Sequence, residues 1–342
     1  MEEKKPHRVL YFDVMNILAC IAVVFQHHNS HMHSFDGSFS WTVSLAMECL
    51  LYWSVPIFLM ISGANLLGYH NKYDTKTFFR KRFMRVVIPW LLWSLVMLVW
   101  KIITGQLKQE PSLQYCLKLL LSNNVEGIYW FFGTLFLLYL GTPLLSRLTP
   151  YRKLLWYTVA VIFGLSAIQP ILGEYLPIPP AIIDSLRNSL VIYYLLGYLL
   201  NTTQLTKKQR IALYLAAVIS VAIRFSVSYV TSVEAQATTL VVRGNKMCNA
   251  IVASSALFVF WKQVRWEKWI PRKIQAMLPV LASYSFGVYL LHRIVIYHLR
   301  DFLGLGLSSL RWKTLWAPVS YLICIAVIAV LKKIPVLKKY IC

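Results

Sequence analysis

Charge is scarce in this chain, and acidic charge is scarcest: 13 of 342 residues are Asp or Glu, and Asp, Glu, Lys and Arg together make up 14%. A soluble domain carries about a quarter charged residues. With 58% hydrophobic residues and a mean hydropathy of +0.58, that deficit excludes an ordinary soluble globular protein and implies several membrane spans. Metal-type spacing and C-x-x-C pairs are missing among the six cysteines. Cys20 and Cys324 fall inside apolar segments, and Cys49, Cys116 and Cys248 lie near the expected outer face, where small buried thiols are expected rather than a disulfide. Fixed-period repeats and low-complexity tracts are lacking too, and no attached soluble domain is expected. No small-residue cleavage site follows the first apolar run, which ends in His27-His28, so the first helix is expected to stay in the mature protein.

What the chain has in excess is positive charge, +22 net. Spread evenly, that charge would suggest nucleic acid as a partner; here it recurs between alternate apolar segments, as membrane topology demands, and no nucleic acid is expected. Ten apolar segments are read, at 9–26, 43–68, 85–103, 128–146, 154–172, 186–200, 211–230, 247–264, 278–298 and 315–331. The sixth is short, and the ninth is interrupted by His292 and Arg293. The N-terminus, 72–85, 147–153, 207–210, 262–273 and 332–339 hold 24 of the 35 Lys and Arg. The positive-inside rule puts these stretches in the cytoplasm. The expectation is an all-α polytopic membrane protein forming one domain over residues 1–342, with about ten transmembrane helices and both termini cytoplasmic.

The first helix carries the least expected residues. Asp13, Asn16, Cys20, Val23 and His27 are spaced 3, 4, 3 and 4 apart and so share one helix face. At about 1.5 Å per residue, Asp13 and His27 stand roughly 21 Å apart, near opposite sides of a hydrocarbon core. Polar groups at that depth face a bundle interior or a wet cavity, which makes this helix one wall of a path. Glu48, in the second segment, is expected about one turn below the outer surface, close to His27. A histidine beside a carboxylate suits general-base work; the bland alternative is that Glu48 neutralises the outer bundle. His31 and His33 complete a histidine-rich stretch that matches no standard metal site; a wet loop is expected there, and no metal.

On the opposite side, Arg80, Lys81, Arg82 and Arg85 open the third segment. Arg82 and Arg85 are three apart, so both can project from one helix face toward a phosphate-bearing ligand, or simply snorkel toward anionic lipid. Ser62 and Asn65 in the second segment can bond across a helix interface, and Glu48, Tyr52, Leu59 and Ser62 lie close to one face. Ser285, Tyr289 and His292 mark a polar face on the ninth segment; Arg224 and Arg293 are expected to be buried, without assigned partners.

These stretches together resemble the acyltransferase 3 family, integral-membrane enzymes of bacteria that move acyl groups onto surface or exported glycans. The resemblance runs through the first-helix pattern ending in His27, Phe58 to Gly63, Arg82-Phe-Met-Arg85 with Pro89, Trp130 to Pro143, and Ser285 to His292. It implies acetyl-CoA as acyl donor and co-substrate, held by Arg82 and Arg85, with His27 in the catalytic role. The family's first-helix arginine, separated from the histidine by ten residues, is replaced here by Asn16. The implied enzyme is an O-acetyltransferase of the bacterial plasma membrane. It would take acyl-CoA from inside and a glycan or other hydroxyl acceptor from outside, surrounded by membrane lipid, and a homo-oligomer is compatible with the sequence. The rival readings are a transporter or flippase of a lipid-linked saccharide, and a catalytically silent membrane sensor with the same fold.

Overall fold

The computed structural model describes residues 9–172, 181, 184, 190–241, 244–335 and 340. In chain order the helices are α1 Leu10–His28, α2 Phe39–Leu51, α3 Ser54–Leu66, α4 Thr75–Arg82, α5 Ile88–Ile103, α6 Leu113–Leu121, α7 Trp130–Arg147 and α8 Arg152–Leu172. After these come α9 Val191–Thr202, α10 Lys207–Ala235, α11 Cys248–Gln263, α12 Trp266–Trp269, α13 Arg272–Leu303, α14 Leu310–Thr314 and α15 Trp316–Leu331. Among the described residues there is no strand. Six stretches are long and apolar enough to cross a membrane: Leu10–His28, Phe39–Asn71, Thr75–Ile103, Gly127–Arg147, Lys207–Ala235 and Arg272–Leu303; α9 and α15 are shorter apolar helices. Over their described residues, the apolar segments read from sequence fall on helices, while 186–189 of the sixth lie outside the described residues. Most of the loop at 173–185, the basic N-terminus, Lys338 and Lys339 lie outside the described residues.

Two segments differ from expectation. The stretch 43–68 is two helices, broken at Tyr52 and Trp53. Pro56 has no amide hydrogen to give the Tyr52 carbonyl, and its ring crowds that carbonyl, so the helix restarts there. The ninth segment, by contrast, is not interrupted: α13 runs unbroken through His292 and Arg293 for 32 residues. Charge does not break a helix whose side chains find partners.

α1 is the axis of the bundle, packing against α2, α3, α11, α13, α14 and α15. α3 and α9 make the closest crossing. A methyl group at Gly63 would sit 1.8 Å from the Tyr194 carbonyl oxygen, and one at Gly197 would sit 1.9 Å from that of Met60. Only hydrogen fits at either place, so the two backbones touch directly. α10 is patterned the other way round from a soluble helix, because its buried residues are Arg224, Ser228 and Ser232. Its apolar side faces outward, as lipid requires. The buried serines accept backbone N–H groups of the following loop, Ser228 from Val241 at 3.1 Å and Ser232 from Thr239 at 2.9 Å. The five cysteines among the described residues are free thiols.

Candidate active site

α1 and α13 run in the same direction and their polar faces meet. Asn16 Nδ2 donates to the Ala282 carbonyl at 3.4 Å, and Cys20 Sγ contacts the Ser285 carbonyl at 3.5 Å. At the far end the His27 and His292 rings lie 5.0 Å apart, centre to centre, tilted by 43°. The stripe on α1 is therefore matched, step for step, by a stripe on α13. Asp13 is buried at the start of the α1 stripe. Asn16 is a neutral side chain that spends its amide on a helix contact.

His292 is fully buried. Its Nδ1 lies 2.7 Å from the Tyr289 carbonyl and 3.2 Å from that of Val288. A carbonyl can only accept, so Nδ1 carries the proton and Nε2 is a bare acceptor. That Nε2 is buried and has no hydrogen-bond partner among the described residues. Tyr289, one turn earlier, donates its hydroxyl to the Ile128 carbonyl at 2.5 Å and so ties α13 to the turn Gly127–Tyr129 that leads into α7.

Behind the histidines is a charged cluster the sequence did not reveal as a unit. Glu126 is buried, with its carboxylate 2.7 Å from Lys101 Nζ and 3.5 Å from Arg293 Nε. Arg293 Nη2 also donates to Tyr297 at 2.5 Å. One acid between two cations leaves a net positive site beside the histidine pair. The available signal was the rarity of acids: Glu126 is one of 13.

Glu48 is placed differently from expectation. Its carboxylate takes Arg224 Nη2 at 3.3 Å, and the same guanidinium donates to the Glu48 carbonyl and covers the Tyr52 ring at 4.7 Å. A buried arginine on α10 demands a counter-charge, and Glu48 supplies it. The ring standing against His27 is that of His292. The other histidines also separate by role. His28 is buried between the Trp312 carbonyl at 3.1 Å and Ser320 Oγ at 2.9 Å, which pins α1 to α14 and α15. His31, expected in a wet loop, is buried and paired with Asp36 at 3.2 Å, whereas His33 is exposed.

Outside the spans, Lys313 is fully buried and donates to Ser40 O, Ser40 Oγ and Ser44 Oγ at 3.0, 2.8 and 2.6 Å. Burial pushes its ammonium down to about 8, with Asp36 partly opposing. Burial also lowers His31, helped by the Lys313 charge and opposed by Asp36.

At the other end of the bundle, the two arginines do not share a face. A π-helical turn at Phe83–Val87 separates α4 from α5 and shifts the register between them. Arg82 turns inward, its guanidinium carbon 6.0 Å from the Phe78 and Tyr139 ring centres and its Nε buried without a hydrogen-bond acceptor among the described residues. Arg85 and Arg80 are exposed, and Lys81 lies over the Tyr73 ring at 4.0 Å. Ser62 is half-buried in α3. Among the described residues, no three His, Cys, Asp or Glu side chains converge as a metal ion requires.

The site is thus a histidine pair at one end of a polar seam, and an inward-turned arginine with unspent hydrogen-bonding capacity at the other end of the bundle. A family model described as an acyltransferase domain matches residues 9–333. No curated protein and no solved structure matches the chain.

Proposed function

We propose, from the premise that this multi-pass membrane protein belongs to the acyltransferase family, that it moves an acetyl group from cytoplasmic acetyl-CoA to a hydroxyl of an extracytoplasmic glycan or other envelope acceptor. In this reading both termini lie in the cytoplasm of a bacterium, and the His27 end faces out. The observation that carries it is the continuous α1–α13 seam that ends in His27 and His292. A lipid-facing helix has no use for such a seam.

Arg82, with Arg80, Lys81 and Arg85 around it, would grip the CoA phosphates, and the thioester would reach up between α1, α3 and α13 past Asp13, Asn16, Ser62 and Tyr289. His27 would take the proton of the acceptor hydroxyl while that oxygen attacks the thioester carbonyl. The carbon–sulfur bond breaks, and the imidazolium returns its proton to the leaving CoA thiolate. The net positive charge left by Lys101, Arg293 and Glu126 would favour the oxyanion formed on the way. Glu48, held by Arg224, would keep α2 against α10 rather than orient His27.

The test is the purified protein in proteoliposomes, supplied with acetyl-CoA and solubilised envelope glycans. Acceptor-dependent release of CoA thiol is expected. Thiol release that no acceptor fraction stimulates would count against the reading.

A further inference from the structure

A general base works only if one ring nitrogen is bare toward the proton it must take, and a neutral imidazole is bare on either side according to what its other nitrogen meets. His27 sits in the last turn of α1, where its ring partner is His292. His292 has its tautomer fixed by its own helix: the carbonyls of Tyr289 and Val288 hold the proton on Nδ1 and leave Nε2 empty and buried. A buried acceptor without a donor is costly, so its retention asks for a reason.

The spacing supplies one. Two imidazoles joined by a linear N–H···N bond of about 2.9 Å, with nitrogens about 1.1 Å from the ring centres, have centres about 5 Å apart. The His27 and His292 ring centres are already at 5.0 Å, the separation that such a bond requires, and a 43° angle between the ring planes is compatible with it, since the rings can twist about the N–H···N axis. Rotation of the His27 ring about its terminal torsion, which is broad for histidine, can turn a ring N–H toward that Nε2 while His292 keeps its contacts with Tyr289 and Val288.

We propose that His292 is the positioning residue for His27: its bare Nε2 accepts the ring N–H of His27 and thereby leaves the other His27 nitrogen free for the acceptor hydroxyl. His292 then does with a neutral ring what a carboxylate does for a catalytic histidine elsewhere, and needs no second buried charge beside Arg293 and Lys101. Tyr289 supports the arrangement through its bond to Ile128, which fixes the turn of α13 that carries His292. What this tautomer control achieves rests on the acyl-transfer reading; the hydrogen bond itself does not.

The test separates the two. Full-length protein with 15N-labelled histidine rings is placed in lipid nanodiscs without substrate, and ring signals are assigned with His27→Gln and His292→Gln. Nitrogen NMR is expected to show His292 protonated at Nδ1 only, and His27 as a single tautomer coupled to it. In His292→Phe, His27 should become a mixture of tautomers. In His292→Gln, whose amide oxygen can accept, His27 should keep one tautomer. If His292→Phe does not fold, the wild-type tautomers alone decide. A His292 protonated at Nε2, or a His27 tautomer indifferent to His292→Phe, overturns the proposal. Where acetyl transfer is measurable, His292→Phe should lose roughly a hundredfold in kcat with KM for acetyl-CoA unchanged, and His292→Gln should recover most of it. Correct tautomers with no transfer to any acceptor would sink the acyltransferase reading and leave the pair standing.

Discussion

Arg82 and Arg85 are three residues apart yet meet different surroundings, because the π-helical turn between α4 and α5 sends Arg82 inward against Phe78 and Tyr139 and leaves Arg85 in the open. Equal contributions to donor binding are therefore not expected. Arg82→Ala should weaken CoA binding by about tenfold or more, the value of a charge-assisted contact in a partly buried site. Arg85→Ala should cost only a few-fold and fade with added salt. Titration calorimetry with CoA at two ionic strengths checks this, and equal losses in both variants would speak against the inward arginine as the main grip.

Gly63 and Gly197 admit no side chain where α3 crosses α9. Gly63→Ala must push the Tyr194 backbone away and should destabilise the bundle by about 3 kcal/mol, at the upper end for overpacking. Gly68→Ala, whose added methyl would meet nothing nearer than 4.0 Å, serves as the control. Thermal unfolding in detergent compares the two; a tolerated Gly63→Ala would contradict the close crossing.

The Glu48–Arg224 pair predicts a non-additive pair of substitutions. Glu48→Gln leaves a buried guanidinium without its counter-charge and should cost about 3–5 kcal/mol. Glu48→Gln with Arg224→Met removes both charges and should recover much of that loss. Folded yield in membranes and unfolding midpoints measure the cycle. If Glu48→Gln is harmless while its protein still folds, the pair does not hold α2 to α10.

Lys313 gives a pH dependence with a definite sign. Its folded value, about 8, lies below the ordinary lysine value of 10.5, so between these the unfolded chain binds more protons than the folded one. Stability from this group therefore rises with pH from about 8 to about 10.5 and is flat on either side. The midpoint of wild type should climb relative to Lys313→Met across that window. Parallel curves would show that the buried ammonium is not strained by its burial.

The sequence made legible whatever depends on one helix at a time. The polar face of the first helix could be read from the 3-and-4 spacing of Asn16, Cys20 and His27, and the face of Ser285, Tyr289 and His292 in the same way. That these two faces meet depends on the packing of helices more than 250 residues apart, which no local period encodes. Depth alone sets Glu48 near His27, whereas its carboxylate meets Arg224, because depth says nothing about which side of α2 faces α10. The arginine pair meets unlike surroundings for a different reason. An α-helical count of three residues holds only in an α-helix, and the π turn at Phe83–Val87 changes the register. Pro56, in contrast, was a readable break within the second segment.

In the proposed reaction His27 removes the proton from the acceptor hydroxyl. Purified wild type and His27→Ala, reconstituted side by side with radiolabelled acetyl-CoA and an accepted envelope glycan, test it most directly by the rate of label transfer. The account predicts a loss of about a hundredfold or more in His27→Ala with CoA binding unchanged, and transfer by His27→Ala at the wild-type rate would contradict it.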